Sequence, residues 1–361
     1  MAAPTKIWAT ANGDHRGAGR GHGPGAIHGR VRWQWTAPGG DGWIYPVLVD
    51  EARIFVQCGE TIHVLDPAGS LVSRITPGLD KMRLAALVAD LLIVRSGHGI
   101  AALDHMGAVR WQYDDAADLL LAVGIDPADH IYVWTYSREP AHLRHSRLTC
   151  IEPDGKLRWS EPHVFRLNGH RHDAALVCDD EGIVYTVNCA CMSGPGGPHL
   201  IGGVAAYDFR GCRWARRGGL GYVNTLHGCE SGALGREYKF IRFTRDGEIA
   251  WVEDDSEGPV VAVDGITGGL RTTPHLAELP WRCHQLNEGV SGTVHCAFDT
   301  TGRVYLGGLI HGENGRLIAV DMDNDLLWRL DVPSVDSSCT PVIGPDATTL
   351  YTGQLTLTAV E

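Results

Sequence analysis

The 361-residue sequence predicts an all-β chain built from repeated four-stranded units. Three observations carry that prediction: the composition, a hairpin signature that recurs along the chain, and two incomplete ends that complement each other. Glycine contributes 46 residues, about 13% against a usual level of about 7%, while charged residues make up only 20%. Such a balance favours strands joined by tight turns over long surface helices.

The signature is a strand, an acidic turn and a second strand with an aromatic residue near its end. It runs through Asp104, Gly107 and Trp111, through Glu152, Gly155 and Trp159, and through Asp208, Gly211 and Trp214. Further copies contain Asp246, Gly247 and Trp251, and Asp321 and Trp328, while a weaker one contains Asp66 and Gly69 and ends at Ser73 in place of Trp. Another strand ending in an acidic residue precedes most copies, at Asp50, Asp90, Asp126, Asp179, Asp264, Asp299 and Asp346. With a poorer candidate at residues 222–226, that makes eight first strands.

Matching fourth strands centre on positions 33, 73, 111, 159, 214, 251 and 328, and the segment around Trp281 is the best candidate for an eighth. The successive spacings are 40, 38, 48, 55, 37, 30 and 47 residues. A repeat of this length with four short strands per unit is the mark of a β-propeller blade. The expectation is therefore an eight-bladed β-propeller, with seven blades as the alternative because the 30-residue unit is cramped.

The two ends supply the third observation. Residues 29–35 read as a fourth strand with no third strand before it, and residues 355–361 read as a third strand with nothing after it. Pairing them would close the ring through one blade made from both termini and remove the open edges of a linear array. One domain is expected, with residues 1–27 as an irregular leader. The glycine-rich run at 13–25 follows no strand and lacks the Lys-Ser/Thr ending of a phosphate loop, so a flexible or belt-like segment is expected there.

The repeat resembles the tryptophan-docking motif of the pyrroloquinoline-quinone-like propeller superfamily, which includes quinoprotein alcohol dehydrogenases and an outer-membrane assembly lipoprotein of Gram-negative bacteria. The resemblance covers nearly the whole chain. It implies that Trp33, Trp111, Trp159, Trp214, Trp251 and Trp328 pack against glycine peptide planes of neighbouring blades and serve as scaffold. Quinoprotein dehydrogenases carry an adjacent Cys-Cys pair over the quinone; no two cysteines are adjacent here, which argues against quinone binding.

Charge narrows the range of partners. With 31 Lys+Arg against 43 Asp+Glu the net charge is −12, which disfavours nucleic acid. The longest apolar run, residues 84–94, is interrupted by Asp90 and falls short of the roughly 20 residues of a membrane span. Residues 1–13 lack the basic and apolar regions of a signal peptide, so a cytoplasmic location is expected. The ten cysteines are scattered, as expected of small, reduced, buried residues.

Candidate chemistry gathers in the connections that a propeller would open on one face. His170, His172 and Asp173 lie in one long connection, and Cys189 and Cys191 in a Gly/Pro-rich second-to-third connection read as an irregular loop. His142, His145, Cys283, His284, Glu288, His311 and Glu313 would join the same rim. Imidazole and thiolate suit copper, zinc or iron, and a neutral imidazole beside a carboxylate is a ready general base.

The catalytic expectation is thus a small-molecule enzyme using His170, His172, Asp173, His284, Glu288 and His311, with His170, His172, Cys189 and Cys191 as the metal set. The competing expectation is a non-catalytic binding or assembly scaffold for a basic protein partner. His63, His105, His227 and His295 lie in or beside strands and turns and read as structural.

Overall fold

The computed structural model describes residues 6–10, 21–39, 43–96, 99–114, 119–136, 146–162, 172–178, 181–194, 197–208, 210–217, 240–243, 249–252, 261–263, 270–271, 290–310, 315–321, 325–332 and 341–361. These residues form antiparallel β-sheets and no helix. The first two strands are β1 (Lys6–Trp8) and β2 (Val31–Thr36). Sheet I follows with β3 (Ile44–Asp50), β4 (Ile54–Cys58), β5 (Thr61–Leu65) and β6 (Leu71–Ile75), and β1 adds along the free edge of β3.

Sheet II contains β7 (Arg83–Val88), β8 (Leu91–Ser96), β9 (Gly99–Leu103) and β10 (Val109–Asp114). Sheet III contains β11 (Leu119–Ile125), β12 (Ile131–Tyr136), β13 (Ser146–Ile151) and β14 (Leu157–Pro162). Sheet IV contains β15 (His172–Cys178), β16 (Val184–Gly194), β17 (Gly197–Asp208) and β18 (Gly211–Arg217). Sheet V is short, with β19 (Phe240–Phe243), β20 (Ile249–Val252), β21 (Val261–Val263) and β22 (Leu270–Arg271).

Sheet VI contains β23 (Val290–Phe298), β24 (Val304–Ile310), β25 (Arg316–Val320) and β26 (Leu326–Asp331). Sheet VII combines β27 (Val342–Ile343), β28 (Leu350–Thr352) and β29 (Thr356–Val360) with β2. Within it Trp33 lies opposite Ala359 and Trp35 opposite Leu357, so the two ends of the chain share one sheet, as their complementary strand patterns predict.

Among the described residues there are seven sheets against an expected eight. The expected fourth strand at Trp281 lies outside the described residues. Trp251 differs from expectation: its hairpin with Phe240–Phe243 forms, but β20 pairs onward with β21 and is the second strand of sheet V instead of the last of its unit. The cramped 30-residue spacing arises from counting that hairpin as the end of a unit.

Where burial is described, the middle strands are largely apolar on both faces, as in β4 and β9, whereas the last strand of a sheet alternates between exposed and partly covered residues, as in β10 and β26. The sheets accordingly pack face to face. One apolar cluster joins Phe55 and Ile62 of sheet I to Leu92, Ile93 and Ala101 of sheet II and to Ile125 and Ile131 of sheet III. A second joins Tyr305, Tyr351 and Ile54 of sheets VI, VII and I, and a third joins sheets III and IV through Trp134, Cys150, Cys178 and Tyr207.

Indoles pin the seams between consecutive sheets. Trp33 donates its N–H to the Pro67 carbonyl (3.1 Å) and Trp111 to that of Pro153 (2.9 Å), each in the third-to-fourth turn of the next sheet. A Cβ on Gly69 would lie 2.7 Å from the Trp33 ring, and one on Gly155 2.6 Å from that of Trp111; both glycines have a left-handed φ, at 84° and 88°. Trp328 packs likewise on Gly29 and donates to the Ala26 carbonyl at 3.3 Å. Where the weak copy has Ser73, Ile75 fills the space beneath Gly107. The strands carrying Trp214 and Trp251 are described without their side chains, and Trp159 stacks on Tyr207 of the next sheet.

The leader is more ordered than expected. Residues 6–8 form β1, and residues 21–30 cross the seam between sheets VI and VII as a strap. Thr300 N–H donates to the Gly23 carbonyl (3.0 Å), Gly25 N–H to that of Ala347 (2.9 Å), and His28 and Arg30 N–H to that of Glu361 (both 3.1 Å). A Cβ on Gly21 would fall 2.3 Å from Ile343 and one on Gly23 2.1 Å from Ala347, so glycine is there for close approach.

Candidate functional site

Acidic residues ending first strands organise one face of the sheets. Their short turns leave backbone N–H groups pointing inward, and the Asp carboxylate accepts them. Asp126, at 4% exposure, accepts the N–H groups of Ala128 and His130 (both 2.9 Å), and its other oxygen accepts from His130 Nδ1 (2.7 Å) and the Tyr132 hydroxyl (3.0 Å). Arg158 donates to Glu152 (2.9 Å) and lies 2.8 Å from His130 Nε2, which is itself 3.2 Å from Glu152, so the cluster ties the first and last hairpins of sheet III.

Asp299 repeats the arrangement. It accepts from Thr301 N–H and Oγ1 (both 2.8 Å), Arg303 N–H (2.9 Å) and the Tyr305 hydroxyl (2.9 Å). That hydroxyl lies 3.1 Å from both the Pro24 and Ala26 carbonyl oxygens, so the clasp also seats the strap. Asp50 instead holds Arg53, whose guanidinium donates onward to His105 in sheet II. Burial pushes the Tyr132 and Tyr305 hydroxyls well above the usual phenol range, so they remain proton donors.

At Asp346 the partners are Thr348, Thr349 and Arg32, and the buried Tyr351 hydroxyl has no hydrogen-bond partner among the described residues. The two tyrosines should respond oppositely to loss of oxygen. Tyr305→Phe is expected to lower stability by about 1–3 kcal/mol, because a buried carboxylate loses a donor, whereas Tyr351→Phe is expected to be neutral or stabilising. Chemical denaturation of both variants checks this; equal losses would show that the hydroxyl partners do not matter.

His63 and His105 are structural, as expected. Burial, followed by the charges of Arg74 and Arg53 respectively, moves both below the usual imidazole range. His63 packs on Trp35 with centroids 5.0 Å apart. Cys150 and Cys178 are buried, and burial pushes the Cys150 thiol up to about 12, which keeps it protonated.

The rim residues fare differently. His170, His284, Glu288 and His311 lie outside the described residues, as do His142, His145, Cys283 and Glu313. His172 and Asp173 open β15, and Cys189 and Cys191 sit on β16. The second-to-third connection of sheet IV is therefore no loose loop but a long hairpin, with β16 and β17 in register from Val184 opposite Tyr207 to Gly194 opposite Gly197. β-branched and apolar residues on both arms continue the ladder through the small residues.

Register sorts the four positions. Asp173 lies opposite Cys189, and strand alternation places Cys191 on their face of the sheet; His172 lies opposite Ala190, on the other face. The register thus places positions 173, 189 and 191 on one face of the sheet and position 172 on the other. Among the described residues no group of three or more His, Cys, Asp or Glu could hold a metal ion.

One recurrent feature was not singled out in the sequence. The residue that opens an outer strand is an exposed aliphatic in sheet after sheet: Val31, Leu71 with Val72, Val109, Leu157, and Leu326 with Leu327. Met106, 87% exposed, stands in the turn just before Val109. The signal is visible in the repeat itself, where an apolar residue follows each acidic turn.

This array of sheets has known counterparts. The WD40 beta propeller domain of Doa1 superposes with a TM-score of 0.55 at 10% identity, covering 92% of this chain and 96% of that one. The fold is that of a β-propeller. A propeller in the mitotic checkpoint complex gives 0.52 at 10% identity over 92% of each chain. BBS1N, solved in complex with ARL6DN, gives 0.54 at 9% identity, covering 93% of this chain and 97% of that one. No protein-family model matches the chain, and no curated protein does.

Proposed function

We propose that this propeller is a non-catalytic scaffold that docks a protein partner through its outer rim. The observation that carries the reading is the row of exposed aliphatic residues opening successive outer strands, Val72, Val109, Leu157 and Leu326 among them. Single exposed apolar side chains are ordinary, but recurrence at equivalent places along a rigid rim supports a shared contact surface. A net charge of −12 favours a partner segment with basic residues flanking its apolar ones. Two of the similar propellers were solved in complexes with other proteins, which is in keeping with this use of the fold.

In this reading the seven sheets are seven blades of one ring, joined by the blade that holds β2 and β29. The indoles lying on Gly29, Gly69 and Gly155 support the likeness to the pyrroloquinoline-quinone-like repeat. The His170/His172 metal or acid–base site is the reading set aside.

The test is a triple replacement, Val109→Glu, Leu157→Glu and Leu326→Glu. These exposed sites should each change stability by no more than about 0.5 kcal/mol. A partner recovered in stoichiometric amount with the wild-type protein from its native cell should be lost with the variant. No stoichiometric partner, or one retained by the variant, overturns the proposal; near-stoichiometric copper, zinc or iron in the purified protein would restore the catalytic reading.

A further inference from the structure

The first strands of sheets I and II present edges that the chain covers with its own N-terminal segment. Lys6 and Trp8 of β1 pair antiparallel with Asp50 and Val49 of β3. One residue on, the Ala9 carbonyl accepts from Leu87 N–H of β7 (2.8 Å), and Thr10 bridges to Ala86. Ala9 is 5% exposed and belongs to the apolar cluster shared by sheets I, II and III. Five residues of extended chain therefore span two sheets at their first strands, held by backbone hydrogen bonds with Ala9 as the buried anchor.

We propose that the paired edges of β3 and β7 form a binding site for an extended peptide, filled in cis by residues 6–10. An extended segment of a partner protein, with a small apolar residue where Ala9 sits, would enter by strand addition. Backbone pairing supplies the affinity, and the space around Ala9 rejects any larger or charged side chain. The three-residue β1 makes few ladder bonds, so its detachment is a low-energy opening. Tethering gives the cis segment an effective concentration in the millimolar range, so a free peptide binds only once that segment has lifted.

The inference deepens the scaffold reading and rests on it for the natural partner alone, because the probe is the chain's own sequence. The full-length Ala9→Glu variant should expel the segment, since a carboxylate at that buried position has no donor. A synthetic peptide of residues 4–12, labelled with a fluorophore at its C-terminus, should then bind the variant saturably and at least tenfold more tightly than it binds wild type. The same peptide with Ala9→Glu should not bind. Equal binding to both proteins, or none to a folded variant, overturns the proposal, whatever the outcome of the rim test.

A second measurement needs no variant. In wild-type protein the Leu87 amide should exchange with deuterium at least a hundredfold faster than the Ile93 amide within β8. Equal protection would mean that the segment is a fixed part of the core and no latch.

Discussion

Replacing Asp126 by Ala is expected to lower the unfolding free energy by about 3–5 kcal/mol, the scale seen when one partner of a buried polar network is removed. The carboxylate satisfies two backbone N–H groups, the His130 imidazole and the Tyr132 hydroxyl, and alanine would remove the acceptor that all four share in a largely buried turn. Loss should extend beyond the turn, because His130 also meets Arg158 and, through it, Glu152 in the last hairpin of the sheet. Urea denaturation of Asp126→Ala, Tyr132→Phe and the double variant forms a cycle. A coupling of at least about 0.5 kcal/mol is expected between residues in contact; additive losses would show that the two do not act together.

Gly155→Ala is expected to be nearly as damaging, and for a geometric reason. The added methyl would sit 2.6 Å from Trp111 at a φ of 88°, so either the turn changes shape or the indole leaves. Left-handed backbone costs an L-residue about 1–2 kcal/mol before the clash is counted, and overpacking adds about 1–3 kcal/mol. The Trp111 to Pro153 hydrogen bond would be lost with it. Gly59 is the control: its φ of 59° is also left-handed, but no atom lies within 4 Å of a Cβ there, so Gly59→Ala should show the backbone cost alone. Similar losses at both sites, read from thermal or urea unfolding, would remove the seam-pinning role given to the indole.

The fold was legible where its determinants are local. Asp66, Asp104 and Asp126 announce their turns because each carboxylate caps N–H groups two to four residues on, so type and spacing alone locate the hairpin. The pairing of β2 with β29 was legible from strand counting. Trp251 was misread because a hairpin does not state which of its arms pairs onward, a matter decided by Val261–Val263. The tyrosine clasps were missed although Tyr132 and Tyr305 each stand six residues after their Asp, since the value of that spacing depends on burial.

Much less of the candidate site could be read. Alternation within a connection was legible, so Cys189 and Cys191 were placed on one side, but the register between β15 and β16 that separates His172 from them is fixed by the whole hairpin. The leader glycines illustrate the converse. Gly21 and Gly23 read as part of a flexible or belt-like leader, and only the proximity of Ile343 and Ala347, over 320 residues away, explains why they are glycine.

That distance along the chain sets the order of events during synthesis. Gln34 of β2 meets Thr358 across 324 residues, which at about 5–20 residues per second means that the strand emerges roughly 15 to 65 s before its mate. Throughout that interval β2 has no strand to pair with, although Trp33 and Trp35 can already pack on Pro67, Gly69 and His63 of sheet I. β2 can therefore complete its sheet only after Thr356–Val360 has been made.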